Sequence, residues 1–362
     1  MKKTVLFIAA LCMALNACAA KPKPLVYFGD TLPQSDEFIR IQIGSLKEAV
    51  GLPEISGIAC SRVTPGYTWM QSDDYESQIV AADERGQNRA MKVKFSKKIR
   101  WDWEDMSGGV YNGVNYLFIG AFGDNDETDG NYSIVYLEEP AITNGEITVQ
   151  PRQIKFQYPG GLKHNAEALM YDNIDQKIFV ITKVYYNVCQ VFSLPFSLEY
   201  GDSLQTLTYV CDLGVKSDIG EGDKPFKGFH LVTGADISPD GHHILIKNHN
   251  NIQAAFSWVL YWRRQEGETV EQTLINSRPV VLDCYQSEWQ GEAICWLDSN
   301  TFYTTSDSDG EPPIYKYMRR DHTALQNVPE ENDKSHNLVY INGSLCIRSK
   351  EGLYALDGRK LE

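Results

Sequence analysis

Short apolar runs rich in Val, Ile, Tyr, Phe and Thr alternate with clusters of Asp, Asn and Gly along most of the chain. Apolar residues recurring at three and four, the mark of an amphipathic helix, are sustained almost nowhere, and residues 45–50 offer a turn or two at most. The pattern predicts an antiparallel all-β protein, with strands bounded by turn-forming clusters.

Five of these runs share one plan. Each opens with an acidic residue, continues as a short strand of small apolar residues, turns, and returns as a second strand ending in polar or charged groups. The runs are PEISGIACSRVTPGYTWMQSDD from 53, WEDMSGGVYNGVNYLFIGAFGDND from 103, AEALMYDNIDQKIFVITK from 166, ADISPDGHHILIKNHN from 235 and GEAICWLDSNTFYTTSDSD from 291. Their leading acids are Glu54, Glu104, Glu167, Asp236 and Glu292, at intervals of 50, 63, 69 and 56 residues. A period near fifty suits a four-stranded unit with its loops, the blade of a β-propeller. Ser238-Pro239-Asp240-Gly241 and Tyr171-Asp172-Asn173 carry the turn chemistry expected between first and second strands. A sixth unit, SHNLVYINGSLCIRSKEGLYALDG at 335–358, has three strands and no leading acid. The strand EFIRIQIG at 37–44 is expected to supply its missing outer strand, so that pairing of the chain ends closes the ring and leaves no long unpaired edge. The expectation is a single propeller over residues 37–362, six-bladed, with five and seven as the neighbouring counts.

In such a ring the first strand of each blade lines the central channel, so Glu54, Glu104, Glu167, Asp236 and Glu292 should converge on the axis. Carboxylates brought that close need raised pKa values or a bound cation, and ligation by oxygen alone suits Ca2+ or Mg2+. The alternative is a stapling role, each acid accepting backbone N–H bonds from a neighbouring blade. The second strands end in Ser72-Asp73-Asp74, Asp124-Asn125-Asp126, Thr182-Lys183, Lys247-Asn248-His249, Ser306-Asp307-Ser308-Asp309 and Arg348-Ser349-Lys350, which would gather at one face as acidic and basic sectors. Asp73, Asp124, Asp126 and Asp307 are thus secondary metal candidates. Lys183 and Lys247 would either balance an anionic ligand or pair with the acids, and His164 is a candidate general base with a structural role as its alternative. GDND at 123–126 lacks the spacing of an EF-hand loop and reads as a hairpin tip. No G-x-S-x-G elbow occurs, and nothing suggests a nucleotide or redox cofactor. The tryptophans read as blade packing.

The motifs PEISGIA, DWEDMSGG, YLFIGAFGDND, HNAEALMYD, IFVITK, VTGADISPDG and QGEAI, in that order over roughly residues 53 to 310, resemble a family of secreted bacterial β-propeller proteins akin in pattern to phytase-like and gluconolactonase-like six-bladed propellers. The resemblance implies divalent ions held by acidic residues at one mouth of the channel. The basic phosphate clamp of the phytase-like members has no clear counterpart here, and the sixth unit lacks its acid.

The N-terminus adds location. Lys2 and Lys3 precede an apolar stretch over residues 4–15, the layout of an export signal over residues 1–17. Leu15-Asn16-Ala17-Cys18 resembles a lipobox, with Cys18 as the lipidated residue; ordinary cleavage after Ala19 is the alternative, giving a soluble periplasmic or secreted protein. Residues 18–36 then read as tether and lead-in. Thirty-four basic against 48 acidic residues give a formal charge of −14, which disfavours nucleic acid and anionic headgroups and favours cations or basic partners. Membrane association is expected only through the lipid, and the chain reads as a monomer. Of eight cysteines none forms a zinc-site pair by spacing; Cys189 and Cys211, on successive strands, are a candidate disulfide, with buried free thiols as the alternative. Two functions follow. One is an exported, lipid-anchored propeller binding a small anionic molecule, a glycan or a protein at its mouth. The other is a metal-dependent hydrolase of a phosphoester or lactone.

Overall fold

The computed structural model describes residues 25–320, except 48–49, 74–76, 100–101, 185–187, 218–229, 251–256, 286–287, 289 and 308–309, together with Asn337–Ile341, Ser344–Ser349, Gly352–Ala355 and Lys360. The export signal, Cys18, part of the turn expected over 45–50, Asp74, Trp101 and Trp289 lie outside the described residues.

The chain divides into two compact units, Met1–Arg319 and Arg320–Glu362. The first is a β-propeller of five blades, each an antiparallel sheet whose first strand is innermost. Blade one runs Ile55–Cys60, Tyr67–Ser72, Gln78–Asp83 and Arg89–Phe95, with Gly145–Val149 added in parallel at its rim. Blade two is Trp103–Tyr111, Val114–Ala121, Tyr132–Glu138 and Arg152–Gln157, and blade three is Ala166–Asp172, Lys177–Thr182, Cys189–Pro195 and Thr208–Leu213. Blade four is His230–Ile237, His243–Asn250, Ser257–Arg263 and Val280–Tyr285, its last connection carrying the helix Val270–Asn276 behind a Thr269–Gln272 capping box. Blade five takes Gly291–Asp298, Thr301–Ser306 and Pro313–Arg319 from its own stretch of chain and Phe38–Ser45 from the N-terminus.

That last pairing corrects the blade count from six to five. The N-terminal strand does close the ring, but its partner is Pro313–Arg319, and the inner strands of blades five and one lie side by side. Glu37, just before the closing strand, is gripped by Arg319 of blade five and by Arg263 of blade four at 2.5 Å. Residues expected to form a sixth blade instead make a three-stranded antiparallel sheet within the second unit.

The axis itself is filled. On blade two, the Asp105 carboxylate accepts the backbone N–H groups of Met106 at 2.8 Å, of Leu169 in blade three at 2.9 Å and of Ala235 in blade four at 3.0 Å. A Cβ at Gly57 of blade one would stand 2.6 Å from the Met106 nitrogen, so only glycine permits that approach. One carboxylate thus ties three inner strands together at the axis.

Between blades the packing is apolar, as the strand pattern requires. Met170, Phe179, Ile246, Trp258 and Trp262 fill the seam of blades three and four, while Phe118, Tyr171 and Phe196 fill that of two and three. The lead-in contributes as well: Leu25–Tyr27 pairs with Val215–Ser217, and Leu25, Tyr27 and Leu32 are buried in the three–four cluster. Cys189 and Cys211 are both free; they face Leu213 and Val191 respectively, two places out of register with each other.

Candidate functional site

All five inner strands carry a β-bulge near their start. The last residues paired before the ladder slips are Ile55, Trp103, Ala166, Val232 and Gly291, opposite Ser72, Ala121, Thr182, Asn248 and Ser306. The residues that follow them, Ser56, Glu104, Glu167, Thr233 and Glu292, are therefore structurally equivalent. A bulge re-aims its side chain, and here it raises three glutamates at one end of the channel. Just past those partners on the second strands, at the same mouth, come Asp73, Phe122, Lys183, His249 and Asp307.

Lys183 stands among the three glutamates. Its ammonium donates to Glu167 Oε2 at 2.7 Å, and Asn165 donates to Glu167 Oε1 at 3.2 Å. Burial works against the charged lysine, but Glu167, Glu292 and Glu104 reverse this and hold its pKa above the ordinary value. The carboxyls respond in the opposite sense. Burial pushes Glu104 well above the usual carboxylate range, and Glu167 and Asp102 add to the push while Lys183 opposes it. Burial does the same to Glu292, where Lys183 again opposes and Glu167, Asp307 and Asp73 reinforce. The three glutamates are only 4 to 6 % exposed, so each interaction is strong. Glu104 is set close against the backbone: a Cβ at Gly123 would fall 1.9 Å from its Oε1.

The mouth also holds backbone strain. Glu54, Asp102 and Gln290 each immediately precede an inner strand and adopt left-handed φ angles of 47°, 75° and 47°. Such conformations in non-glycine residues persist where surroundings over-determine them, and they concentrate at functional sites.

Placed in this frame, the expected ring of five acids is partly corrected. Glu104, Glu167 and Glu292 come together. Glu54 stands two places before the bulge position and is equivalent to Asp102 and Gln290, while Asp236 stands three places after it. Asp236 is an axial staple: its Oδ2 accepts the Trp296 N–H of blade five at 2.8 Å and its Oδ1 accepts the Ser107 hydroxyl of blade two at 2.9 Å. Burial raises its pKa to about 6 against those donors.

The remaining candidates scatter in role. Asp73 and Asp307 reach the mouth and act electrostatically on Glu292. Asp124 is buried and organises its own loop, accepting from Thr128, Asp129 and Gly130 N–H groups and from the Tyr132 hydroxyl at 2.7 Å; burial raises its pKa, but these donors outweigh it and the net shift is downward. Asp126 is exposed at the hairpin tip. His164 packs edge-on to Tyr158, with centroids 4.7 Å apart, and burial lowers its pKa. Lys247 is fully buried between blades four and five, paired with Glu288 and donating to the Thr305 carbonyl at 2.9 Å. Both lysines expected to balance an anion are thus bonded to carboxylates.

Sequence reading missed Asp105, Glu288, and Arg264, whose guanidinium bonds both Asp172 oxygens of blade three at 2.9 Å. Asp105 carried a signal, being an acid in the same run as Glu104. Glu288 and Arg264 sit in connections, outside any repeat.

As for donors, the glutamates supply the hard oxygens that calcium or magnesium prefers. Among the described residues, no three His, Cys, Asp or Glu side chains already stand together as a metal cage. A cation would therefore have to draw Glu104 and Glu292 together.

No family model matches the chain, and no curated protein matches it. Among solved structures, the β-propeller domain of Cps50 (Swd1) from Myceliophteria thermophila is similar over 72% of this chain and 83% of that one, at 11% identity and a TM-score of 0.33. The assignment of the fold rests on the strand pairing itself.

Proposed function

We propose that this protein is an exported, lipid-anchored propeller that takes a divalent cation, Ca2+ or Mg2+, at its acidic mouth and there engages a ligand or partner. The observation that supports it is an imbalance of charge: Glu104, Glu167, Glu292, Asp73 and Asp307 act on one another around the ammonium of Lys183, while Lys247 also acts on Glu292. Lys183 is paired with Glu167 and Lys247 with Glu288, so Glu104 and Glu292 have no bonded cation of their own among the described residues and their pKa values are raised. A divalent ion competes directly with protons for such carboxylates. Because the cage is not preformed, affinity should fall near that of extracellular calcium modules, with a dissociation constant on the order of 10⁻⁴–10⁻³ M.

Export and anchoring rest on Lys2, Lys3, the apolar stretch at 4–15 and Cys18. The likeness to phytase-like and gluconolactonase-like propellers belongs to the same proposal, supported by the gathering of acids at one mouth. Lys183 is engaged by Glu167 and Lys247 by Glu288, which favours the binding reading over the hydrolase.

Calorimetric titration with calcium at neutral pH, in buffers of different ionisation enthalpy, tests the cation. Binding should release protons, raise the melting temperature reversibly with chelator, and disappear in Glu292→Gln. Absence of heat together with a melting curve indifferent to calcium and chelator would refute it.

A further inference from the structure

The seam between blades one and five is where this ring closes, and it contains two thiols in contact. Cys60 ends the inner strand of blade one, Cys295 lies on the inner strand of blade five, and their sulfurs are 3.4 Å apart although 235 residues separate them in sequence. Both are free, at 6 % and 1 % exposure, within one apolar cluster with Ile58, Ala293 and Tyr303. Other seams carry buried ionic clasps: Asp172 with Arg264 between blades three and four, and Glu288 with Lys247 between four and five. Here the charged contacts, Tyr303 and Lys316 to Glu84 and Lys47 to Glu311, lie at partly exposed positions.

We propose that Cys60 and Cys295 form a disulfide that clasps the first blade to the last in oxidised protein. Bonding needs the sulfurs to close by about 1.4 Å, to the ordinary length near 2.05 Å. The two thiols lose two protons and two electrons; a low-molecular-weight or protein disulfide accepts them and departs as two thiols, so the exchange balances. Cys295 in the folded ring resists forming a thiolate, because burial and the adjacent Cys60 raise its pKa. Exchange therefore takes place as the ring closes, while the thiols are still accessible, and burial afterwards shields the bond from reductant. The loop it closes spans most of the propeller, where the unfolded chain gains most from a cross-link. An exported location supplies the oxidant, but the pairing stands on geometry alone.

The test is refolding of reduced, full-length chain in oxidised glutathione, followed by alkylation, non-reducing digestion and mass mapping. The expected result is a cross-linked peptide joining Cys60 to Cys295, with a melting temperature several degrees above that of the same protein refolded in dithiothreitol. In Cys295→Ala that difference between oxidising and reducing conditions should vanish. Full alkylation of both cysteines after oxidative refolding overturns the proposal, and so does an unchanged reductant effect in the variant. Because the peptide map is read on the unaltered chain, the result holds even where the variant folds poorly, and it is independent of whether the protein is exported.

Discussion

Lys183 sets the chemistry of the mouth through a single ammonium. Paired with Glu167 at 2.7 Å and almost fully buried, it leaves Glu104 and Glu292 to hold their protons above the ordinary glutamate value of 4.5. The sign for stability follows. A carboxyl whose pKa is raised on folding binds more protons folded than unfolded, so its contribution is complete below pH 4.5 and is lost as pH rises through the higher folded value. Asp236 acts alike, from 3.8 to about 6. Glu292→Gln removes one such burden. In metal-free protein its stability should exceed that of the unaltered chain at pH 7.5, and the gap should narrow toward pH 4.5. Urea unfolding across that range decides it, and parallel curves would count against the account. At this scale the sequence was legible in the acids at Glu104, Glu167 and Glu292 and in Lys183 at a strand end. It was silent on Glu288, because a partner placed in a connection obeys no period.

Along each inner strand the bulge is the decisive element. It adds one residue to the period-two alternation, so two adjacent acids, Glu104 and Asp105, no longer face as the pattern implies: one looks to the mouth and the other into the axis. In blade four the bulge falls at Thr233, so Asp236, though it opens its sequence unit as the glutamates open theirs, lies three places from their level. Strand identity, turns and the leading acids could be read; register could not, because a bulge leaves no fixed residue signature. Asp105 gives the element its test. Asp105→Ala strands the N–H groups of Met106, Leu169 and Ala235 in a dry core, and at roughly 1–3 kcal/mol for each unsatisfied group the loss should total about 3–5 kcal/mol. Asp105→Asn, which keeps one oxygen, should lose less. Chemical denaturation of both variants measures this, and a near-neutral Asp105→Ala would mean that the axis is not held as described.

For the whole molecule the ring is complete at Arg319. Closure by an N-terminal strand was legible because EFIRIQIG had no partner nearby in sequence, whereas the choice of blade depended on how tightly inner strands pack at the axis, which Gly57 and Asp105 determine. A chain ending at Arg319 should accordingly keep its cooperative melting transition within a few degrees of the full-length protein, while removal of Phe38–Ser45 should abolish cooperativity by exposing the edge of blade five. Loss of folding on removing the Arg320–Glu362 unit would restore the case for a sixth blade. The central claim concerns the mouth, and its most direct measurement is an anomalous difference map from calcium-soaked crystals at pH 7.5. The account expects a peak among Glu104, Glu167 and Glu292, with carboxylate oxygens at about 2.3–2.6 Å. A calcium-saturated crystal with no peak there, and Lys183 still bonded to Glu167 between Glu104 and Glu292, would contradict it.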